Sequence, residues 1–285
     1  MKALSCLLTA LAAAAPLFAQ QVGDPDFDAR VDKPAFVRVH PKVLFDEGHH
    51  NVHKTGATYR AFAELLRNDG CAVDVNARPF TAETLRGYRL LVIAGALGAP
   101  LEDEAHAQQP AFTKEEVDAV REWVRRGGAL LLLTDHEPVA SAEESLARAF
   151  DVQPMKTVVV DEEHHFENTY PTNILASRDN GLLADHPITR DAKRVVIFGG
   201  QSLRFPKTAT VLIGIGKRAH TEGALGNGQA GALRFGRGRV VITGDMGMLS
   251  AQLFTENGVT GKWGMNVAGI DNRQLVLGIE RWLLQ

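Results

Sequence analysis

Short apolar runs alternate with stretches of helical spacing through the first half of the chain. Residues 42–45 (Lys-Val-Leu-Phe) read as a buried strand. Residues 55–69 then place Tyr59, Phe62, Leu65 and Leu66 on one helical face, and Gly70 closes that helix. Residues 71–75 make a second strand and residues 90–94 a third, whose wholly apolar character suits a sheet covered on both faces. Thr113 with Glu116 forms a capping box ahead of the stripe Val117, Val120, Trp123 and Val124, which stops at Gly127-Gly128. Residues 129–133 are the fourth strand, and Ser141 with Glu144 repeats the capping signal before a short helix. Strands alternating with helices over short turns predict right-handed βαβ units and a parallel sheet.

The second half is less regular. Residues 158–160, 195–198, 211–215, 232–235 and 240–243 read as strands, and the turn around Gly236-Arg237-Gly238 predicts a hairpin, hence antiparallel pairing. Asp271 with Gln274 caps a last helix with Leu275, Ile279 and Trp282 facing inward. The expected domain runs over residues 42–285. Before it, residues 20–41 are polar and broken by Pro25, Pro34 and Pro41, which predicts an extended leader. Residues 1–19 carry one Lys, an apolar run and a small residue at Ala19, the pattern of a secretory signal peptide. The expectation is therefore an exported protein, periplasmic or extracellular, with no membrane span after signal removal. Cys6 leaves with the signal, so Cys71 cannot form an internal disulfide.

The polar chemistry gathers just beyond the strands. Asp46-Glu47-Gly48-His49-His50-Asn51-Val52-His53 follows the first, Asp135-His136-Glu137 the fourth, and Gly244-Asp245-Met246 the last long one. Ligands of open parallel sheets bind in the crevice beyond the strand carboxyl ends. Glu47, His49, His50, Asn51, Asp135, His136, Asp245 and, further along, Asn266 are the candidate ligand-binding residues. A divalent metal is the sharper alternative, with His50, His136 and Asp135 or Asp245 as nitrogen and oxygen ligands. No H-E-x-x-H or H-x-H spacing supports it. The literal G-x-G-x-x-G at residues 226–231 leads into a strand rather than a helix, so it lacks the helix terminus that holds a pyrophosphate.

Charge narrows the function classes. The chain of 285 residues has 31 Lys and Arg against 34 Asp and Glu, a net charge of -3, which argues against nucleic acid as a partner. With 45% hydrophobic residues it has ample surface to bury and is not disordered.

The segments Val43 to Asn51, Tyr59 to Gly70, Gly127 to His136, and the C-terminal stretches from Gly238 to Gln252, Gly264 to Asn266 and Asp271 to Leu284 together resemble the class I glutamine amidotransferase-like superfamily. More narrowly they resemble an uncharacterised secreted bacterial branch, a domain of unknown function related to ThuA-like proteins and gliding-motility transporter subunits. The resemblance implies an α/β, flavodoxin-like fold: a mainly parallel sheet flanked by helices, with antiparallel additions in the C-terminal half. Amidotransferases place a nucleophilic cysteine in a tight turn after a central strand. Here those turns hold Gly95-Ala96-Leu97 and Asp135-His136-Glu137, so thiolate chemistry is not expected. The ThuA-like relatives imply a carbohydrate-related role. Two readings follow: a domain binding a small polar ligand, such as a carbohydrate, or a hydrolase, metal-dependent or not, that uses the His/Asp cluster.

Overall fold

The computed structural model describes residues 20–167, 169–256 and 259–285; the expected signal peptide, residues 1–19, lies outside them. The strands are β1 (Gln20–Gly23), β2 (Lys42–Asp46), β3 (Ala72–Asn76), β4 (Leu90–Ala94), β5 (Ala129–Leu133), β6 (Gln153–Val158), β7 (Asn173–Ser177), β8 (Arg194–Phe198), β9 (Gln201–Arg204), β10 (Thr210–Ile213), β11 (Ala230–Phe235), β12 (Gly238–Thr243), β13 (Ala251–Glu256) and β14 (Val259–Gly264). The helices are α1 (Arg60–Asn68), α2 (Glu104–Ala107), α3 (Lys114–Arg125), α4 (Val139–Arg148) and α5 (Asn272–Leu283).

The central sheet has seven strands in the order β10-β11-β12-β5-β4-β2-β3. β12, β5, β4, β2 and β3 are parallel, and β11 and β10 extend the β12 edge antiparallel. Taken in chain order, the five parallel strands lie 2-1-3-4-5, the flavodoxin arrangement. The fold is thus α/β and flavodoxin-like, as the sequence predicts.

Successive side chains of β4 and β5 point to opposite faces, and both faces are covered. Leu90, Val92, Leu131 and Leu133 share one core with Phe62 and Leu66 of α1 and with Leu275, Ile279 and Trp282 of α5. Leu91, Ile93, Leu130 and Leu132 share the other with Val120 and Val124 of α3 and Leu146 of α4. Each such leucine is fully buried and stabilises the fold by about 1.5–3 kcal/mol. This double burial is why these strands have no polar alternation. The expected hairpin joins β11 to β12, with Gly236 at φ 58° in the first of its two turn positions.

Several boundaries differ from expectation for local reasons. Helix α1 begins at Arg60 rather than Thr55, because Glu47 Oε1 accepts both the backbone N–H and the hydroxyl of Thr55 at 2.7 Å and holds it in a turn. Helix α4 already begins at Val139. Ser141 therefore lies inside it, with its hydroxyl donated to Glu137 at 2.6 Å instead of capping. Asp271 sits at the N-cap of α5, but its carboxylate accepts the N–H groups of Lys193 and Arg194 and ties the helix to β8. Residues 20–41 are largely irregular, yet they lie against the domain. β1 pairs antiparallel with β13, Ala29 is buried in the core, and the N–H of Phe36 bonds to Asp69 O at 3.0 Å. Strands β7, β9, β13 and β14 carry weak sequence patterns and emerge only in the structure. They form the small sheets β1-β13-β14, β6-β9 and β7-β8 over the carboxyl-terminal half.

Candidate functional site

Two of the polar clusters after the parallel strands end in different environments. After β2, Asp46 is fully buried, and its carboxylate takes His49 Nδ1 at 2.8 Å and the side-chain amides of Asn51 and Asn76, each at 3.0 Å. The other ring nitrogen of His49 meets Glu116 Oε1 at 2.9 Å, and the ring lies between Phe80 and Phe112. Glu116 also closes the expected capping box of α3 with Thr113 and accepts the N–H of Phe80. Burial lowers the His49 pKa, but Asp46 and Glu116 outweigh it and hold it above its ordinary value. His49 and Asn51 therefore serve as internal ties. Glu47 is spent on Thr55, and His50 is exposed in a left-handed turn at φ 48°. Neither residue lines the cavity described next.

The second cluster opens on a cavity of about 520 Å³ over the ends of β5 and β12. Asp135 accepts the His136 ring Nδ1 and the His136 backbone N–H through Oδ1, and the N–H of Met246 through Oδ2 at 3.2 Å. The His136 ring remains half-exposed in the cavity wall, and its bond to Asp135 raises its pKa against the pull of burial. Asp245, which is 1% exposed, accepts the N–H groups of Phe198 and Met248 at 2.6 and 3.2 Å through Oδ2. Burial first, and then the negative Asp135, push its carboxyl well above the ordinary range.

The candidates are thus divided. The structure brings Asp135, His136 and Asp245 together at one cavity. Asn266 lies outside it, donating to Asp24 and to Gln252 O. Among the described residues no three His, Cys, Asp or Glu side chains are grouped so as to hold a metal ion. The expected His50–His136 set is not assembled as one cation site.

Other residues lie in the cavity wall or just behind it. His53, the last histidine of the β2 loop, is buried in its wall, stacks on Tyr59 at 4.7 Å and bonds to Thr58 Oγ1 at 2.7 Å. Burial lowers its pKa to about 4, so it is a neutral imidazole. Tyr59, which the periodicity placed on a core face, donates its hydroxyl to Met246 O at 2.6 Å. Gly95 lets the loops close: a Cβ there would meet Met246 Sδ at 2.4 Å, and its φ is 67°. The lining also includes aromatic residues, Phe198 from β8, Trp263 from β14 and Tyr170. They come from the half whose strands the sequence shows least well.

Chemically, the site offers a half-exposed imidazole oriented by a carboxylate, two further polar acceptors and an aromatic wall. Among the described residues no Ser, Thr or Cys side chain is hydrogen-bonded to the His136 ring, so no activated nucleophile accompanies it. Cys71 is remote from the cavity and buried. It donates its thiol to Glu280, and burial raises its pKa.

No family model and no curated protein matches the sequence. Solved structures do. The mmIFT52 N-terminal domain is similar over 85% of this chain and 97% of its own, at 16% identity and a TM-score of 0.65. A ThuA-like protein from Parabacteroides merdae covers 86% and 90% at 13% identity and a TM-score of 0.49. Another from Bacteroides uniformis covers 92% and 95% at 13% identity and a TM-score of 0.45. At 16% identity, what the mmIFT52 N-terminal domain shares with this chain is the fold alone.

Proposed function

We propose that the protein binds a saccharide-type polar ligand in the cavity beyond β5 and β12, without amidotransferase chemistry. The observation that carries this reading is that one cavity is lined both by polar groups, Asp135 and His136, and by aromatic rings, Phe198 and Trp263. Aromatic rings pack against the C–H face of a pyranose, while carboxylate, amide and imidazole groups satisfy its hydroxyls. The volume suits a small ligand. Export of the chain, as its N-terminal segment suggests, would put this cavity in contact with envelope or extracellular glycans.

The test is fluorescence titration. Of the three tryptophans, Trp263 alone lines the cavity. Saccharide binding should change the emission of the protein, and Trp263→Phe should remove most of that change. A panel of neutral, amino and acidic sugars that leaves emission and melting temperature unmoved refutes the reading.

Hydrolysis is the second reading, favoured by the orientation of the His136 imidazole by Asp135, which equips it to exchange a proton with water. Release of reducing ends from oligosaccharides, abolished in His136→Ala, would establish it.

A further inference from the structure

The cavity differs from an ordinary polar pocket in the sign of its charges and in the oxygens it leaves without partners. Asp135, Asp245 and Glu137 line it, and among the described residues no Lys or Arg does. The adjoining hollow that shares Glu137, Pro138, Leu101 and Gln21 with it adds Glu102 and Glu104. Apart from the His136 ring on Asp135 and Lys156, which reaches Glu137 at 3.9 Å from outside the lining, nothing there would balance an anionic ligand.

Two buried oxygens in the wall lack any hydrogen-bond partner. Asp245 uses Oδ2 on two backbone donors and leaves Oδ1 empty-handed. Gln252, also 1% exposed, donates its amide to Ser250 Oγ at 2.7 Å and leaves Oε1 unused. A buried polar atom without a partner is costly. Burial drives the Asp245 carboxyl toward its neutral form, and a cation beside Oδ1 would offset that and favour the carboxylate. Gly247, also in the wall, matters here: a Cβ on it would sit 3.0 Å from Asp245 Oδ1, so the glycine keeps the space beside that oxygen open. Trp263 and Phe198, the latter bonded to Asp245 through its backbone N–H, also line the cavity, and aromatic ring faces attract cations. A group that satisfies all of these at once has several N–H donors and a positive charge.

We infer that the ligand carries a protonated amine, seated beside Asp135 and Asp245 and against the Trp263–Phe198 rings. This rests on the saccharide reading above and narrows it to amino sugars.

The experiment is calorimetric titration of the full chain, at a mildly acidic pH where the amine is charged, with four probes. These are a chitosan trisaccharide, its fully N-acetylated form, cellotriose and the sugar-free amine spermidine. The chitosan trisaccharide should bind at least about tenfold more tightly than the two uncharged trisaccharides. Gly247→Ala should remove most of that preference by filling the space beside Asp245 Oδ1, with its circular dichroism and melting temperature checked against the parent protein. Equal affinity for all three trisaccharides overturns the amine inference and leaves saccharide binding standing. Binding of spermidine alone keeps the amine and overturns the saccharide reading. Binding of none overturns both. A preference for the charged sugar that survives unchanged in Gly247→Ala overturns the placement of the amine at Asp245.

Discussion

The loops after β2 and β5 are built from the same materials, an aspartate at the strand end and a histidine close behind, yet they do opposite things. In the first, both ring nitrogens of His49 are held by buried carboxylates and aromatic rings cover it. In the second, one nitrogen of His136 is held by Asp135 and half the side chain remains exposed in the cavity wall. Position beyond a parallel strand is therefore insufficient to make a site. What separates them is a second partner: Glu116 at the start of α3 reaches over the β2 loop, and no such helix start covers the β5 loop. A closed cluster contributes to stability, and an open one can contribute to binding.

The comparison breaks most readily at Asp46. Replacing it with Ala removes the acceptor shared by His49, Asn51 and Asn76, and should cost about 3–5 kcal/mol of unfolding free energy in urea. A loss below about 1 kcal/mol would show that the β2 cluster is not a structural tie.

Next in size is the dependence of stability on pH, where the two buried histidines act with opposite signs. The folded pKa of His53 falls from 6.5 to about 4, so the fold favours its neutral ring. Its contribution is complete above 6.5 and disappears as pH falls toward 4, a loss of about 3 kcal/mol. His53→Gln should flatten this acid limb. The folded pKa of His49 is raised, so its contribution is complete below 6.5 and fades as pH climbs through the folded value. His49→Gln should therefore remove the most stability below 6.5, and progressively less as pH climbs through the raised folded value. Unfolding curves collected across this range for the parent and both variants decide the matter; parallel profiles would contradict the assignment.

His136→Ala is the counterpart in the open cluster. It should change unfolding free energy by less than about 1 kcal/mol while weakening ligand binding about tenfold. Were it to destabilise the protein as much as Asp46→Ala, the two loops would not differ in kind. The smallest expected effect is at the rim. Glu137, whose carboxylate lies 3.9 Å from Lys156 Nζ, is partly exposed, so Glu137→Gln should lower affinity for a charged amine only about two- to threefold, and high salt should erase the difference.

What could be read in the chain beforehand follows from how local each signal is. The pentads at β4 and β5, the Thr113–Glu116 capping box and the glycine turn between β11 and β12 are written in adjacent residues, and each appears where expected. The boundaries of α1 and α4 were misjudged because Glu47 and Glu137 engage Thr55 and Ser141 from outside the expected helices. Asp135, His136 and Asp245 are legible as candidate residues because they directly follow strands, and the structure places them at one cavity. His49 and Asn51 look identical by that rule, and nothing near them in sequence reveals that Glu116 closes over the ring.

The sequence by itself determined a two-faced parallel sheet and the location of polar loops at its carboxyl ends, because burial on both faces demands uninterrupted apolar strands and leaves polar residues only beyond them. The tertiary structure alone decided which loop is sealed and which is open. It also supplied the aromatic residues Phe198 and Trp263, brought to one cavity from two separate small sheets, β7-β8 and β1-β13-β14. Burial and the occupancy of the second imidazole nitrogen are properties of packing between remote segments, and no local pattern encodes them.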